Sequence, residues 1–257
     1  MRFLLFILLA APFIGFSQSD SKEPVIYTDT TTNYAEFVGM GSSNGYTPFW
    51  IQSNQYGIVP KTGPNLSARV GLERYWTISE NKTRNEWRVG AGIEAVGNFV
   101  QTKNVLLPQV HATLRYKNWE LYVGRKKQAL GLADSTIGSG SYAWSGNALP
   151  IPKIYLGTTR FVPVPFTKGW LSFQAFYSDG LFENGRPITE NLKFHQKAFY
   201  MRIGKANSTV KLYGGFNHQV QWGGKLKKDL GVNDETLQMP TGFKNYINAV
   251  IGSIGGN

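Results

Sequence analysis

The sequence predicts an all-β protein, an antiparallel transmembrane β-barrel of the outer membrane, from three observations. Side chains alternate between apolar and polar with a period of two along most of the chain. Long and short connections follow one another in turn, and aromatic residues gather beside the short ones. After the N-terminal leader no run of about 18 apolar residues occurs, so no transmembrane helix competes with the strands.

Within the leader, Met1 and Arg2 precede an apolar run from Phe3 to Ala11, then Pro12 and small residues ending near Ser17 and Gln18. That order is the pattern of a secretory signal peptide, and the run is short for a membrane span of about 20 residues. Residues 1–17 are therefore expected to be cleaved on export. Residues 18–33 are expected to form a periplasmic N-terminal segment ahead of a barrel region at 34–257.

Each strand is read from its alternation. At 65–78, Leu66, Ala68, Val70 and Leu72 oppose Ser67, Arg69, Gly71 and Glu73. At 86–100, Trp87, Val89, Ala91, Ile93 and Ala95 oppose Arg88, Gly90, Gly92 and Glu94. At 105–117, Val110, Ala112, Leu114 and Tyr116 oppose Gln109, His111, Thr113 and Arg115. Similar stretches at 34–41, 118–127, 151–162, 169–178, 194–204 and 209–222 complete a set of nine, each with one apolar and one polar face. Residues 243–251 would begin a tenth. An odd set without a terminal strand ending in an aromatic residue reads as an incomplete front portion of a larger barrel, of about nine or ten strands.

The connections give the architecture. Those at 42–64, 128–150, 179–193 and 223–243 are long, those at 79–85, 117–118, 163–168 and 205–208 are short, and only 101–104 breaks the alternation. A soluble sandwich has no reason to sort its loops this way, whereas an outer-membrane barrel has short periplasmic turns and long external loops. Trp76, Trp87, Tyr116, Trp119 and Trp170 all lie beside the short turns, where an interfacial girdle would sit.

Charge and composition narrow the partners. Lys and Arg number 27 against 16 Asp and Glu, a net +11, or +10 once Arg2 leaves with the leader. The absence of cysteine excludes a disulfide scaffold and a thiolate metal site. The cations are scattered and no nucleic-acid-binding motif occurs, so nucleic acid is not expected as a partner. An acidic polysaccharide or the phosphates of outer-membrane lipid fits the same charge, and Lys126 and Lys127 are candidates for the phosphates.

Catalysis finds little support. His111, His195 and His218 lack metal-ligand spacing, and no nucleophile elbow, zinc-protease or phosphate-loop motif occurs, so no enzyme activity, metal or cofactor is expected. By parity Arg69, Glu73, Arg88, Glu94, Arg115 and Glu120 turn towards the lumen, as a charged network of ion pairs holding the wall.

Binding is better supported. The long connections are rich in aromatic residues, Asn, Gln, Ser and Gly, a combination in which flat rings stack on sugar faces while amides and hydroxyls meet sugar hydroxyls. Trp50, Asn54, Tyr142, Trp144, Asn147, His218, Gln221 and Trp222 are the polysaccharide-binding candidates.

Four blocks carry a resemblance: residues 49–60 (FWIQSNQYGIVP), 124–128 (GRKKQ), 139–154 (SGSYAWSGNALPIPKI) and 216–224 (FNHQVQWGG). In this order they resemble the Wzi family of capsule assembly proteins, over most of the mature chain but only the front half of the family's length. The resemblance implies an outer-membrane barrel of about eighteen strands, within the known range. It implies a lectin that anchors capsular or related surface polysaccharide to a Gram-negative cell and assists capsule assembly, with neither reaction nor cofactor. Polysaccharide export machinery is a candidate partner. A passive porin for small polar solutes or saccharides is the alternative, since it accounts equally for a barrel with a charged lumen.

Overall fold

The computed structural model describes residues 29–41, 45–78, 87–132, 141, 144–185, 188–227 and 238–253. The expected signal peptide and residues 18–28 lie outside the described residues. The strands are β1 (Thr30–Met40), β2 (Asn65–Thr77), β3 (Trp87–Phe99), β4 (Lys103–Tyr116), β5 (Trp119–Arg125), β6 (Lys153–Thr158), β7 (Val162–Pro163), β8 (Leu171–Leu181), β9 (Thr189–Glu190), β10 (Lys193–Ile203), β11 (Leu212–Trp222) and β12 (Lys225–Leu226). Among the described residues the helices are α1 (Phe49–Gln52) and α2 (Phe243–Ile251).

Ten strands form one sheet in the order β1-β2-β3-β4-β5-β6-β8-β10-β11, with β7 attached to β8; β9 and β12 pair separately. Every pairing is antiparallel. The nine strands of the path match the nine alternating stretches, because each hairpin joins neighbours in sequence and period-two patterning fixes their register. No pairing joins β1 to β11 among the described residues. The segment 243–251 is a helix rather than a strand. It is too short for period alone to decide between the two, and Gly252 in the left-handed region at φ 73° closes it as a helix C-cap.

The faces of the sheet are inverted relative to a water-soluble fold. The buried side carries Arg88, Glu94, His111, Glu120, Lys153 and Gln196, with Glu94 only 1% exposed. The opposite side exposes Leu66, Val70, Leu72, Ile93, Val123 and Ile154, with Val70 60% exposed. These are here termed the polar and the apolar face. The apolar core is small by comparison and sits on the polar face beneath the long connections. One cluster joins Tyr122, Tyr155, Phe176 and Tyr200 to Leu130, with Trp144 packed against it. The second joins Ile58 and Val59 to Val96.

Along the apolar face at the short-turn end, Trp76, Trp87, Tyr116 and Trp119 form a belt, and Trp170 stands at the same end just ahead of β8. Trp87 and Tyr116 are opposed in register with rings 4.5 Å apart, and Tyr116 opposes Trp119. Arg74, Lys117 and Lys205 lie 5.3, 5.2 and 5.6 Å from the rings of Trp76, Tyr116 and Trp170.

Two devices set the register. A bulge in β4 places three steps opposite two of β3 between Glu94 and Val96, and Pro108, which has no N–H to donate, falls within it. On the polar face, rings lie over glycines directly across the ladder: Tyr34 over Gly71, Tyr75 over Gly90, His111 over Gly92 and Tyr200 over Gly215. A Cβ at any of these glycines would come within 2.4–2.6 Å of an atom of the facing ring, so each ring fills a space that only glycine leaves. Gly90→Val is expected to cost about 1–3 kcal/mol in equilibrium urea unfolding through overpacking against Tyr75. Gly214→Val, with open space around its Cβ, should shift the same transition by less than about 0.5 kcal/mol.

Candidate functional site

The long connections gather at one end of the strands, and two of them are tied together. The chain at 45–64 folds over the polar face so that Ile58 and Val59 reach Val96, with Ile51 and Leu149 packed alongside. There Tyr56 donates its N–H to the Gly146 carbonyl at 2.5 Å, and Asn54 donates its N–H to Asn147 Oδ1 at 2.8 Å. Asn54 and Tyr56 both have left-handed backbone, φ 57° and 52°. Asn tolerates that region, whereas for Tyr it is strained, so the inter-loop bond holds a costly turn in place. Burial raises the Tyr56 phenol above its ordinary pKa.

Below this rim the charged residues form a connected network on the polar face. Tyr75 is its hub: its hydroxyl donates to Glu73 Oε1 at 2.8 Å and accepts from Arg115 at 3.2 Å and Lys126 Nζ at 3.1 Å. The Arg115 and Arg88 guanidinium carbons stand 4.3 and 5.2 Å from the Tyr75 ring centre. Glu120 accepts from Arg115 at 2.5 Å and Lys126 at 2.9 Å. Glu94 accepts from Lys127 at 2.6 Å and Gln109 at 3.3 Å, while Lys127 also lies 5.5 Å from the Tyr56 ring. Thus Lys127 links Glu94 to the rim. Burial pulls the Lys126 ammonium below its ordinary pKa, and the Glu120 carboxylate opposes this.

Of the six charged residues singled out in the sequence, Glu73, Arg88, Arg115 and Glu120 surround Tyr75. Glu94 stands on its own with Lys127 and Gln109. Arg69 is at the β1 side, 3.5 Å from Glu36. Tyr75, Lys126 and Lys127 complete the arrangement. Lys126 and Lys127 do not face outward to lipid phosphates as expected; the chain turns over the polar face after β5, and buried carboxylates draw both ammonium groups inward. Glu120 and Glu94, each alone on its strand among small or aromatic neighbours, were the signal that cations must come from elsewhere.

The sugar-contact candidates separate into three places. Trp50 and Asn147 are at the rim with Asn54, and the Trp50 ring is 75% exposed. Trp144 lies half-buried 6.0 Å from Phe194, with the Lys153 ammonium 4.4 Å from its ring. Gln221 is exposed on the polar face opposite Phe194. His218 and Trp222 fall on the apolar face beneath α2, away from the others: His218 Nε2 donates to the Ala249 carbonyl at 2.8 Å, and the Trp222 ring is 5.4 Å from that of Tyr246. Period two along 217–222 already separates them from Gln221. Tyr142 lies outside the described residues.

The arrangement offers a charged wall under a rim of exposed rings and amides, and within that wall the His111 ring stands between the Thr113 hydroxyl at 3.1 Å and the Glu73 carboxylate at 3.5 Å. Glu120→Gln, which removes the carboxylate shared by two half-buried cations, is expected to cost about 1.5–3 kcal/mol in urea unfolding. Glu36→Gln, which breaks an exposed pair, should cost less than about 1 kcal/mol in the same measurement. No family model matches the chain, and neither does any curated protein.

Proposed function

We propose that the chain forms part of the wall of an outer-membrane β-barrel whose external rim holds a capsular or related surface polysaccharide on the cell. The observation that carries the membrane reading is the inversion of the two faces. Apolar side chains exposed across nine strands are an arrangement suited to lipid, and charged side chains held in a network on the other face suit an aqueous lumen. Twelve steps along β3, from Trp87 to Phe99, span about 40 Å, or about 30 Å at the usual tilt, enough to cross the apolar core of a bilayer. The aromatic belt with its neighbouring cations supports the periplasmic interface at the short-turn end.

The rim supports the polysaccharide reading. Its exposed ring, Trp50, stands on a connection fixed at Tyr56 and Asn54 to the 144–150 segment, so the ring is presented on a pinned support rather than a free loop. Preorganised aromatic and amide groups are the chemistry by which sugar is held without reaction. The segment at 45–64 packs onto Val96 over the polar face, which favours an anchor above an open pore. We assign the chain no catalytic role.

Leu72→Arg, at the middle of β2, is expected to destabilise the protein in lipid vesicles by about 2–4 kcal/mol. An effect below about 0.5 kcal/mol would place that face in water. In cells lacking the gene the polysaccharide should still be made but should move into the medium, and the intact gene should restore it. Complementation with Trp50→Ala should leave protein in the membrane yet weaken retention about tenfold, the scale of one lost ring contact. An unchanged split between cell-bound and shed polymer would remove the anchoring role, and steady ion conductance in planar bilayers would then favour the porin.

A further inference from the structure

Near the long-connection end the apolar face stops being apolar. Asp179 of β8, His195 and Lys197 of β10, and His218 of β11 share that face by register. Helix α2 lies across them. Tyr246 donates its hydroxyl to Asp179 Oδ2 at 2.9 Å, and the buried His195 holds the other Asp179 oxygen through Nδ1 at 2.9 Å. Lys197 Nζ donates to the Val250 carbonyl at 2.6 Å, alongside the His218 bond to Ala249. Two carbonyls of the last turn, which an isolated helix leaves unbonded, are therefore capped by the sheet.

This docking turns the helix the wrong way round for water. Its polar contacts are made with the sheet, while Phe243, Ile247 and Ile251, at i, i+4 and i+8, are exposed on the side away from it. Beside the helix a cavity of about 550 Å³ opens on the same side of the sheet, walled by Val123, Ile154, Leu181, Trp222 and Tyr246. That volume falls in the range of about 300–1,000 Å³ for small-ligand sites. In its wall the Lys193 ammonium stands 4.4 Å from the Trp222 ring and no carboxylate pairs with it among the described residues, whereas the Asp179 carboxylate of the same wall is held by His195 and Tyr246.

An apolar slot with one unneutralised cation in its wall is complementary to an amphiphile with an anionic head. The slot continues the exposed apolar face and lies at the end of the long connections, the external side in the membrane reading on which this inference rests. We propose that it seats one acyl chain of lipid A, the phosphorylated and acylated lipid of the outer leaflet, with a lipid phosphate on Lys193. The stripe of α2 lies in the same leaflet beside it.

The test uses the full chain in detergent, incubated with hexa-acylated lipid A, dephosphorylated lipid A or phosphatidylglycerol and examined by native mass spectrometry. Wild type should retain one lipid A, and Lys193→Gln should lower the retained fraction about tenfold, the scale of one charge-assisted contact. Dephosphorylated lipid A on wild type should fall equally. Leu181→Trp, which fills the slot, should abolish retention, while Lys168→Gln at the short-turn end should behave as wild type, with circular dichroism showing all three variants folded. Equal retention by wild type and both slot variants overturns the proposal, as does equal retention of phosphatidylglycerol. A dimer in place of the lipid adduct also overturns it, by giving the slot to a second copy. Fractionation of cells separates this from the membrane reading: a chain absent from the membrane overturns that reading, whereas a membrane-inserted chain that holds no lipid A overturns only the slot.

Discussion

The alternation of side chains along paired strands is the constraint on which the rest of the structure depends. A slip of one residue in any ladder would bring charged side chains to the apolar face and aliphatic ones to the polar face. The cost of such a slip is unusually high here, because the polar side chains are not individually solvated. Tyr75 of β2, Arg115 of β4, Glu120 of β5 and Lys126 beyond β5 satisfy one another, so each strand's register is a condition for its neighbours' hydrogen bonds. Rings seated over facing glycines add a steric condition to the polar one.

Most of the sheet was legible because period two is a strong signal when it repeats in many strands and strands adjacent in sequence pair with one another. The centres of β2, β3 and β4 follow directly from Leu66–Leu72, Trp87–Ala95 and Val110–Tyr116. The faces of Arg88, Glu94 and Glu120 were legible for the same reason, since parity needs no knowledge of contacts. What parity does not contain is the path of a connection. Lys126 and Lys127 follow β5 in a stretch without period, and only the turn of the chain over the polar face brings them to Glu120 and Glu94. The Tyr75 hub was hidden similarly, because its partners come from strands and a loop up to 51 residues away.

Helix α2 failed for a different reason. Nine residues containing six aliphatic or aromatic side chains suit either period, and local preference does not decide between them. The helix forms where it does because Lys197 and His218 cap its last turn, an interaction between segments far apart in sequence. His218 and Trp222 were grouped with sugar contacts on residue type alone; their placement under α2 shows that an aromatic or imidazole near a sheet rim has two faces to serve. Trp144, chosen for its ring, is engaged with Phe194 and Lys153, whereas Trp50 keeps its ring free.

The tie between Tyr56 and Gly146, with its companion between Asn54 and Asn147, spans connections that leave the sheet at different places, one between β1 and β2 and the other between β5 and β6. Mechanically it is a strut. Tension applied at Trp50 is divided between two hairpins three strands apart instead of peeling one edge hairpin from the sheet. The shared load runs across the hydrogen bonds of β2 through β5 in shear, the direction in which many bonds must yield together, rather than opening the β1 ladder one bond at a time.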